Sequence, residues 1–224
     1  DRVDEFDLIC KIQLEKSSIT TVCASRNAKD GSLIRILVQI KSGSIHSYAF
    51  DGIEFKYISE FACGTFTFCK MSVLSADDET LLVSFPDEKV ENGISVVSYS
   101  FGESVIKEER KRILNGFIDG TSKNGMCLFS KLFHDPSCIE SMFLLCGFEN
   151  GRIILLKISY QCSDAYETVF DEQIMEESCI DADLCVQSEE LCIVAVGSGK
   201  EIKIIRIPLQ YPSSSHVIKS IDLP

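Results

Sequence analysis

The sequence has no apolar run long enough to cross a membrane. A membrane-spanning helix needs about 20 consecutive apolar residues, and although 45% of the 224 residues are hydrophobic, polar residues interrupt every run well before that length. We therefore expect no contact with a membrane. The opening stretch Asp1-Arg-Val-Asp-Glu-Phe-Asp7 also lacks an initiator Met and the apolar region of a signal peptide. It indicates a chain without a leader that comes from a longer protein.

Motifs for catalysis and phosphate binding are also absent from the sequence. None of the three histidines, His46, His134 and His216, lies in a Gly-x-Ser-x-Gly or His-Glu-x-x-His context. The glycines fall in turns between apolar segments and form no phosphate-binding loop. We therefore predict that the chain is not an enzyme and needs no cofactor.

Metal-binding spacing is missing although cysteine is abundant. The eleven cysteines include no Cys-x-x-Cys pair, and three histidines offer few nitrogen ligands. The odd number of cysteines and their position inside apolar runs favour reduced thiols that behave as small apolar side chains. A metal site is the less favoured alternative. We predict buried, free thiols at Cys23, Cys69, Cys146 and Cys192.

Basic residues are too few for a nucleic-acid-binding protein. With 22 Lys and Arg against 34 Asp and Glu, the net charge of −12 opposes contact with phosphate backbones, so we predict no direct nucleic-acid partner. Between Ser159 and Gly199 the chain has ten acidic residues and no Lys or Arg. A solvated rim is the first interpretation, and a docking face for a basic protein is the second. The candidate contacts in the second case are Glu172, Glu176 and Glu177.

One basic cluster stands out against this acidic background. It consists of Lys107, Arg110, Lys111 and Arg112, and Lys123 follows in the same polar tract. Most such clusters lie in solvated loops, which is the first interpretation. Pairing with an acidic protein surface is the alternative.

The residues 141–159 contain the clearest local signal in the sequence. Two apolar runs of strand length, 142–146 and 153–158, are separated by a segment that contains Asn150-Gly151. Asn-Gly predicts a type I′ hairpin turn, in which both central residues have positive φ. Because both runs are apolar throughout rather than alternating, we expect the hairpin to be buried on two faces.

The hairpin belongs to a pattern of short strands that occurs four times. Each unit has four segments of strand length, and a glycine turn separates the second from the third. The turn glycines Gly43, Gly93 (preceded by Asn92), Gly151 and Gly199 are 50, 58 and 48 residues apart, close to the spacing of about 40 to 50 residues in propeller blades. The predicted units are 17–62, 63–116, 123–175 and 178–224, and 1–16 is predicted to be a strand of a preceding blade.

The pattern predicts an all-β chain with about four four-stranded blades of a β-propeller. In a propeller each sheet packs face to face with its neighbours, which explains why the middle segments are apolar throughout. A run of four blades leaves a sheet face open at each end. We therefore expect further blades in the parent protein, to a total of about seven.

Several segments of the chain resemble a known family. The third unit contains Gly125-Met-Cys-Leu-Phe-Ser-Lys-Leu-Phe133 and Leu144-Leu-Cys-Gly-Phe-Glu-Asn-Gly-Arg-Ile-Ile-Leu-Leu-Lys-Ile-Ser159, and both resemble a middle blade of the WD-repeat subunit of the ASTRA complex. That family includes the animal guanine-nucleotide-binding-protein β-subunit-like protein. Its neighbouring blades are similar to Phe66-Thr-Phe-Cys-Lys-Met-Ser72, Leu82-Val-Ser-Phe-Pro-Asp87 and Gly197-Ser-Gly-Lys-Glu-Ile-Lys-Ile-Ile-Arg-Ile207. Since the chain has no Trp, other pairs replace the Trp-Asp dipeptides of the family, namely Tyr48-Ala49, Tyr99-Ser100, Lys157-Ile158 and Arg206-Ile207.

The resemblance implies a WD-repeat propeller that acts as a non-catalytic scaffold for protein–protein interactions. The partners it implies are the other ASTRA subunits, the Tel2-Tti1-Tti2 cochaperone and client kinases related to phosphatidylinositol 3-kinase. The implied roles are chromatin regulation and kinase maturation, in the nucleus with an additional cytoplasmic pool. The alternative hypothesis is a propeller enzyme or small-ligand binder whose site lies at the central channel and uses His46 with acids of the third and fourth units.

Overall fold

A computed structural model shows that the chain is built from β-strands. No helix occurs in the part of the chain that it describes, and hence none there that could span a membrane. The structure describes residues 18–26, 34–50, 52–64, 69–77, 80–90, 93–101, 108–117, 125–160, 165–187, 190–197, 200–208 and 216–222.

The strands form four antiparallel sheets, and each sheet is an up-and-down meander of four strands in chain order. The first contains β1 (Ile19–Arg26), β2 (Ile34–Ile40), β3 (Ser44–Phe50) and β4 (Phe55–Ala62). The second contains β5 (Ser72–Ser75), β6 (Thr80–Pro86), β7 (Ile94–Phe101) and β8 (Glu108–Phe117). The third contains β9 (Cys127–His134), β10 (Ser141–Phe148), β11 (Arg152–Ser159) and β12 (Tyr166–Gln173). The fourth contains β13 (Cys179–Gln187), β14 (Glu190–Gly197), β15 (Glu201–Pro208) and β16 (His216–Asp222).

The first strands of the sheets lie together at one inner edge. Contacts join β1 to β5, β5 to β9 and β9 to β13, so the four sheets stand side by side like blades around a propeller axis. This confirms the predicted all-β propeller fold, and the sheets are called blades one to four below. The blade boundaries 17–62, 63–116, 123–175 and 178–224 and the total of seven blades stay predictions, and 1–16 lies outside the described residues.

The third blade explains the continuous apolar runs of the sequence. Every residue of β10 is buried, because a neighbouring blade covers each face of the sheet. Leu144 packs in one cluster with Leu82 of the second blade, whereas Leu145 packs in another with Ile205 of the fourth. Alternate side chains enter different cores, so both must be apolar. Full burial of one such side chain stabilises the fold by about 1.5 to 3 kcal/mol.

The central hairpin turn differs from the predicted type I′ turn. Three residues, 149–151, connect β10 to β11, whereas type I′ hairpins have two-residue loops. The Gly151 N–H donates to the Phe148 carbonyl over 3.0 Å, and Gly151 has a φ of +83°. This is the geometry of a type I turn followed by a left-handed glycine. The left-handed backbone is therefore required at the third loop residue.

The other predicted turn glycines follow more than one geometry. Gly43 repeats the arrangement of Gly151, with a φ of +96° and an N–H that donates to the Ile40 carbonyl over 3.0 Å. The Gly93 N–H donates to the Val90 carbonyl over 2.9 Å, and a Cβ at Gly93 would meet the Val90 side chain at 2.8 Å. The remaining turn residues, Asn92 and Gly199, lie outside the described residues.

The first strand of the second blade is short. β5 covers only Ser72–Ser75, and 65–68 lies outside the described residues. The backbone just before β5 pairs sideways with the next blade, where Lys70 forms a parallel bridge with Phe129 of β9. This segment is therefore used to join blades instead of extending its own sheet.

Cysteine burial agrees with the prediction at Cys69 and Cys146, which are fully buried free thiols. A hydrogen bond with Cys127 and burial raise the pKa of the Cys69 thiol well above its ordinary value. The thiol is therefore protonated and unreactive at neutral pH. Cys23 differs from the prediction because it is only half-buried. The side chain of Cys192 lies outside the described residues.

Candidate functional site

The buried side chain of Gln39 joins the first blade to the second near the inner edge. Its carbonyl oxygen accepts a hydrogen bond from the Met71 N–H over 2.8 Å, and its amide group donates to the Cys69 carbonyl over 3.2 Å. Gln39 is buried, so both bonds form where little water competes for them. A single polar residue at the end of an apolar strand thus satisfies two backbone groups of the next blade.

Hydroxyl groups join the second blade to the third. The Ser72 hydroxyl on β5 accepts a hydrogen bond from the Leu132 N–H on β9 over 3.1 Å. Deeper in the interface, the hydroxyls of Ser84 and Ser130 lie 3.0 Å apart. The Cys69 thiol donates to the Ser130 hydroxyl over 3.6 Å. These bonds fix β5 and β9 side by side.

An ion pair joins the third blade to the fourth. Lys131 Nζ on β9 lies 2.8 Å from Asp181 Oδ1 on β13. Both side chains are partly exposed, so the pair contributes about 1 kcal/mol or less to stability. It is one of the contacts between β9 and β13 at the inner edge.

A cavity of about 950 Å³ lies between these inner strands. All four of them, β1, β5, β9 and β13, contribute to its wall. Binding sites of this kind measure about 300 to 1,000 Å³ and combine apolar walls with a few polar groups. The apolar part of this wall includes Met71, Val73, Leu128, Phe133 and Ile180.

The charged groups of the cavity wall are mostly basic, in contrast to the chain as a whole. Among the described residues of the wall are Lys41, Lys70 and Lys131 and one acid, Asp181, whereas the net charge of the whole chain is −12. Lys131 is neutralised by Asp181. Lys41 and Lys70 are exposed, and neither forms an ion pair within the described part of the chain. The cavity therefore has a local surplus of positive charge.

One buried polar atom of the wall has no hydrogen-bond partner among the described residues. It is Oγ1 of Thr21 on β1. A buried hydroxyl without a partner costs about 1 to 3 kcal/mol. A ligand that bonded to Thr21 would remove this cost.

A second polar centre lies in the connection between β9 and β10, where Asp135 is buried. Its carboxylate accepts hydrogen bonds from the Ser137 N–H and hydroxyl at 2.9 and 2.6 Å and from the Ser141 hydroxyl at 2.5 Å. Lys157 Nζ lies 2.7 Å away. Although burial acts to raise the pKa of Asp135, the bonds from Lys157, Ser137 and Ser141 outweigh it and lower the pKa to about 2. The group is a structural anchor because its hydrogen-bonding capacity is already used.

The predicted partner contacts do not come together in one place. Glu172 is exposed on β12, and Glu176 and Glu177 lie in the connection to β13. Glu177 forms a 3.0 Å ion pair with Lys200, so part of the acidic stretch is neutralised. Three residues of the basic cluster, Arg110, Lys111 and Arg112, belong to another blade, on the outer strand β8. The side chains of Arg110, Lys111 and Arg112, and Lys107 as a whole, lie outside the described residues.

His46, the central residue of the alternative hypothesis, lies on β3, the third strand of the first blade. Its Nε2 is 3.0 Å from the Ser44 hydroxyl and 3.4 Å from a Glu60 carboxylate oxygen, and its Nδ1 is 3.4 Å from the Tyr48 hydroxyl. These partners belong to the first blade, so His46 is not brought together with acids of the third and fourth blades. In the described part of the chain, no group of three or more His, Cys, Asp or Glu could hold a metal ion.

The sequence patterns did not single out Thr21, Gln39 or Lys70 as site residues. Gln39 and Lys70 are nevertheless visible in the sequence, because each is a polar residue between two apolar neighbours. Their role depends on which blade lies next to them, which only the structure shows.

Comparison with known proteins identifies the fold. The sequence matches no family model and no curated protein. Among solved structures, BBS1N in complex with ARL6DN is similar at 13% identity and a TM-score of 0.53, and the match covers 91% of this chain and 54% of that chain. Sqt1 of Saccharomyces cerevisiae is similar at 10% identity and a TM-score of 0.57, and the match covers 90% of this chain and 50% of that chain.

Both similar structures are propellers of the WD-repeat type. At these identities the likeness concerns the fold alone. The chain spans about half the length of the chains it matches. Its four sheets are therefore blades of a β-propeller.

Proposed function

We propose that the chain is part of a non-catalytic β-propeller scaffold that binds other proteins. The observation that carries the proposal is the set of bonds by which Gln39, Ser72 and Lys131 join the inner strands of successive blades. A surface held in place in this way loses little conformational freedom on binding, which favours affinity. The similar structure of BBS1N was solved in complex with ARL6DN, which supports protein partners for a propeller of this type.

The absence of catalysis is part of this proposal. A propeller enzyme would need acid, base or nucleophilic groups that converge on one site. His46 and Asp181 lie on strands of different blades, and Asp181 is already paired with Lys131. The geometry therefore favours binding over chemistry.

The finer proposal concerns the partners. From the resemblance of 125–133 and 144–159 to the ASTRA WD-repeat subunit, we propose a place in an ASTRA-type assembly. The partners in that case are ASTRA subunits, the Tel2-Tti1-Tti2 cochaperone and client kinases, in the nucleus with a cytoplasmic pool. The support for this level is the sequence resemblance.

Affinity purification of the tagged full-length protein, followed by mass spectrometry, tests both levels. We expect recovery of protein partners that include ASTRA subunits or the cochaperone. Recovery of other stable partners would contradict the ASTRA assignment and leave the scaffold function intact. Recovery of no partner by a folded, tagged protein would contradict the scaffold function itself.

A further inference from the structure

We propose that the cavity between the inner strands binds an extended segment of a partner protein in which an acidic side chain is flanked by apolar ones. The inference rests on the proposed scaffold function, because it names the kind of segment that the scaffold binds. Three features of the cavity support it: the charge of its rim, the nature of its wall and an unsatisfied hydroxyl.

The charge of the cavity selects an anionic group. Lys41 and Lys70 are exposed at the cavity and form no ion pair within the described ranges. A local surplus of lysine attracts a carboxylate. The net charge of the whole chain is −12, so the rest of the surface repels polyanions. One or two carboxylates match this pattern, whereas the phosphate backbone of a nucleic acid does not.

The wall of the cavity selects apolar groups beside that carboxylate. Met71 is buried, Val73 and Phe133 are half-buried, and Ile180 is 53% exposed. Apolar side chains of a partner would cover these groups and remove their exposed area from water. The ligand therefore has to combine apolar side chains with its negative charge.

The unsatisfied hydroxyl favours a peptide over a simple amphipathic acid. Oγ1 of Thr21 is buried at the wall without a hydrogen-bond partner among the described residues. A hydroxyl both donates and accepts hydrogen bonds, so it can pair with either backbone group of an extended chain. An alkyl carboxylate has no polar group along its apolar part and would leave Thr21 unpaired.

The direct test is fluorescence anisotropy with the purified full chain and three labelled peptides of equal length. The first peptide alternates Glu with Leu, the second alternates Gln with Leu, and the third alternates Glu with Ser. We expect the Glu/Leu peptide to bind at least about tenfold more tightly than either control, and its affinity to fall as NaCl rises from about 0.05 M to about 0.5 M.

Charge-reversal variants test whether the peptide binds at the cavity. Lys70→Glu should lower the affinity for the Glu/Leu peptide about fivefold or more, since an attractive charge pair becomes a repulsive one. Lys89→Glu is the matched control, because Lys89 is an exposed lysine of the same blade in the connection between β6 and β7. It should leave the affinity unchanged.

Three outcomes would overturn the inference: equal binding of the Glu and Gln peptides, equal effects of the two variants, or complete displacement of the peptide by an equimolar alkyl carboxylate. The last would assign the cavity to a small molecule. A failure here is distinct from a failure of the scaffold function, because partner recovery by the Lys70→Glu protein at the wild-type level would sink the cavity inference and retain the scaffold.

Discussion

Replacing Gly151 by alanine should destabilise the protein far more than the added methyl group suggests. With a φ of +83°, this position is in the left-handed region, which costs a residue with a Cβ about 1 to 3 kcal/mol. The Cβ would also collide with the backbone carbonyls of Met175 and Glu177, the latter at 2.5 Å. Neither carbonyl is at the end of a flexible side chain, and the Gly151 carbonyl itself accepts 3.1 Å bonds from the N–H groups of Ile174 and Met175.

Overpacking of this kind adds about 1 to 3 kcal/mol, so the total cost is about 2 to 6 kcal/mol. That is a large part of the 5 to 15 kcal/mol by which a typical domain is stable. Urea titration of the wild-type and Gly151→Ala proteins measures the cost as a shift of the midpoint. A Gly151→Val change should cost still more, because a β-branched residue tolerates positive φ least.

Gly52→Ala is the matched control for this experiment. Gly52 has a similar φ of +93°, but a Cβ there would meet nothing within 4 Å. The Gly52→Ala protein should therefore show the strain of the backbone alone, about 1 to 3 kcal/mol, without the added cost of the collision. Equal midpoint shifts for the two alanine variants would refute the account of the turn at Gly151 and its contact with the connection to the fourth blade.

Three further properties can be predicted from the same structure. The hydrogen bonds that lower the pKa of Asp135 from 3.8 to about 2 stabilise the fold above the unfolded pKa, and this contribution disappears as the pH falls through the folded value. When the pH falls from about 5 to about 2, the free energy of unfolding of an Asp135→Asn protein, measured by urea titration, should thus decrease by about 2 kcal/mol less than that of the wild type. Parallel plots of this free energy against pH would contradict the prediction. Gln39→Leu leaves two backbone groups unpaired and should lower the free energy of unfolding by about 2 to 4 kcal/mol. Gln173→Leu, at an exposed position, should lower it by less than about 1 kcal/mol. Similar urea midpoints for the two variants would disprove the link between blades. Maleimide should label exposed Cys185 in the folded protein and buried Cys69 only after unfolding. Equal labelling of the two cysteines in the folded protein, measured by mass spectrometry, would contradict the burial of Cys69.

The strands could be predicted from the sequence because their signal is local. A strand buried on both faces needs apolar residues at every position, so β10 and the middle of β11 are visible as continuous apolar runs. The turn type was wrong because Asn-Gly suits two kinds of loop. Asn150 and Gly151 fit the two central positions of a type I′ turn, and they equally fit the last two positions of a three-residue loop with a left-handed glycine. Only the strand register distinguishes the two.

The cavity could not be predicted because it depends on which blade lies next to which. Gln39 and Met71 are 32 residues apart, and nothing in either segment indicates that they meet. The same holds for Lys131 and Asp181, whose strands belong to different sheets. A polar residue beside an apolar run shows that its side chain needs a partner, but it does not say which partner.

The proposed function places protein binding at the inner edge of the propeller's blades. Cross-linking mass spectrometry tests this proposal most directly. The tagged full-length protein is isolated with its partners and treated with a reagent that joins lysines to carboxylates. We predict cross-links from Lys41 and Lys70 to acidic residues of a partner, and fewer from the exposed Lys89 and Lys200. Cross-links to partners that arise only from Lys89, Lys200 or other outer positions would contradict the proposal.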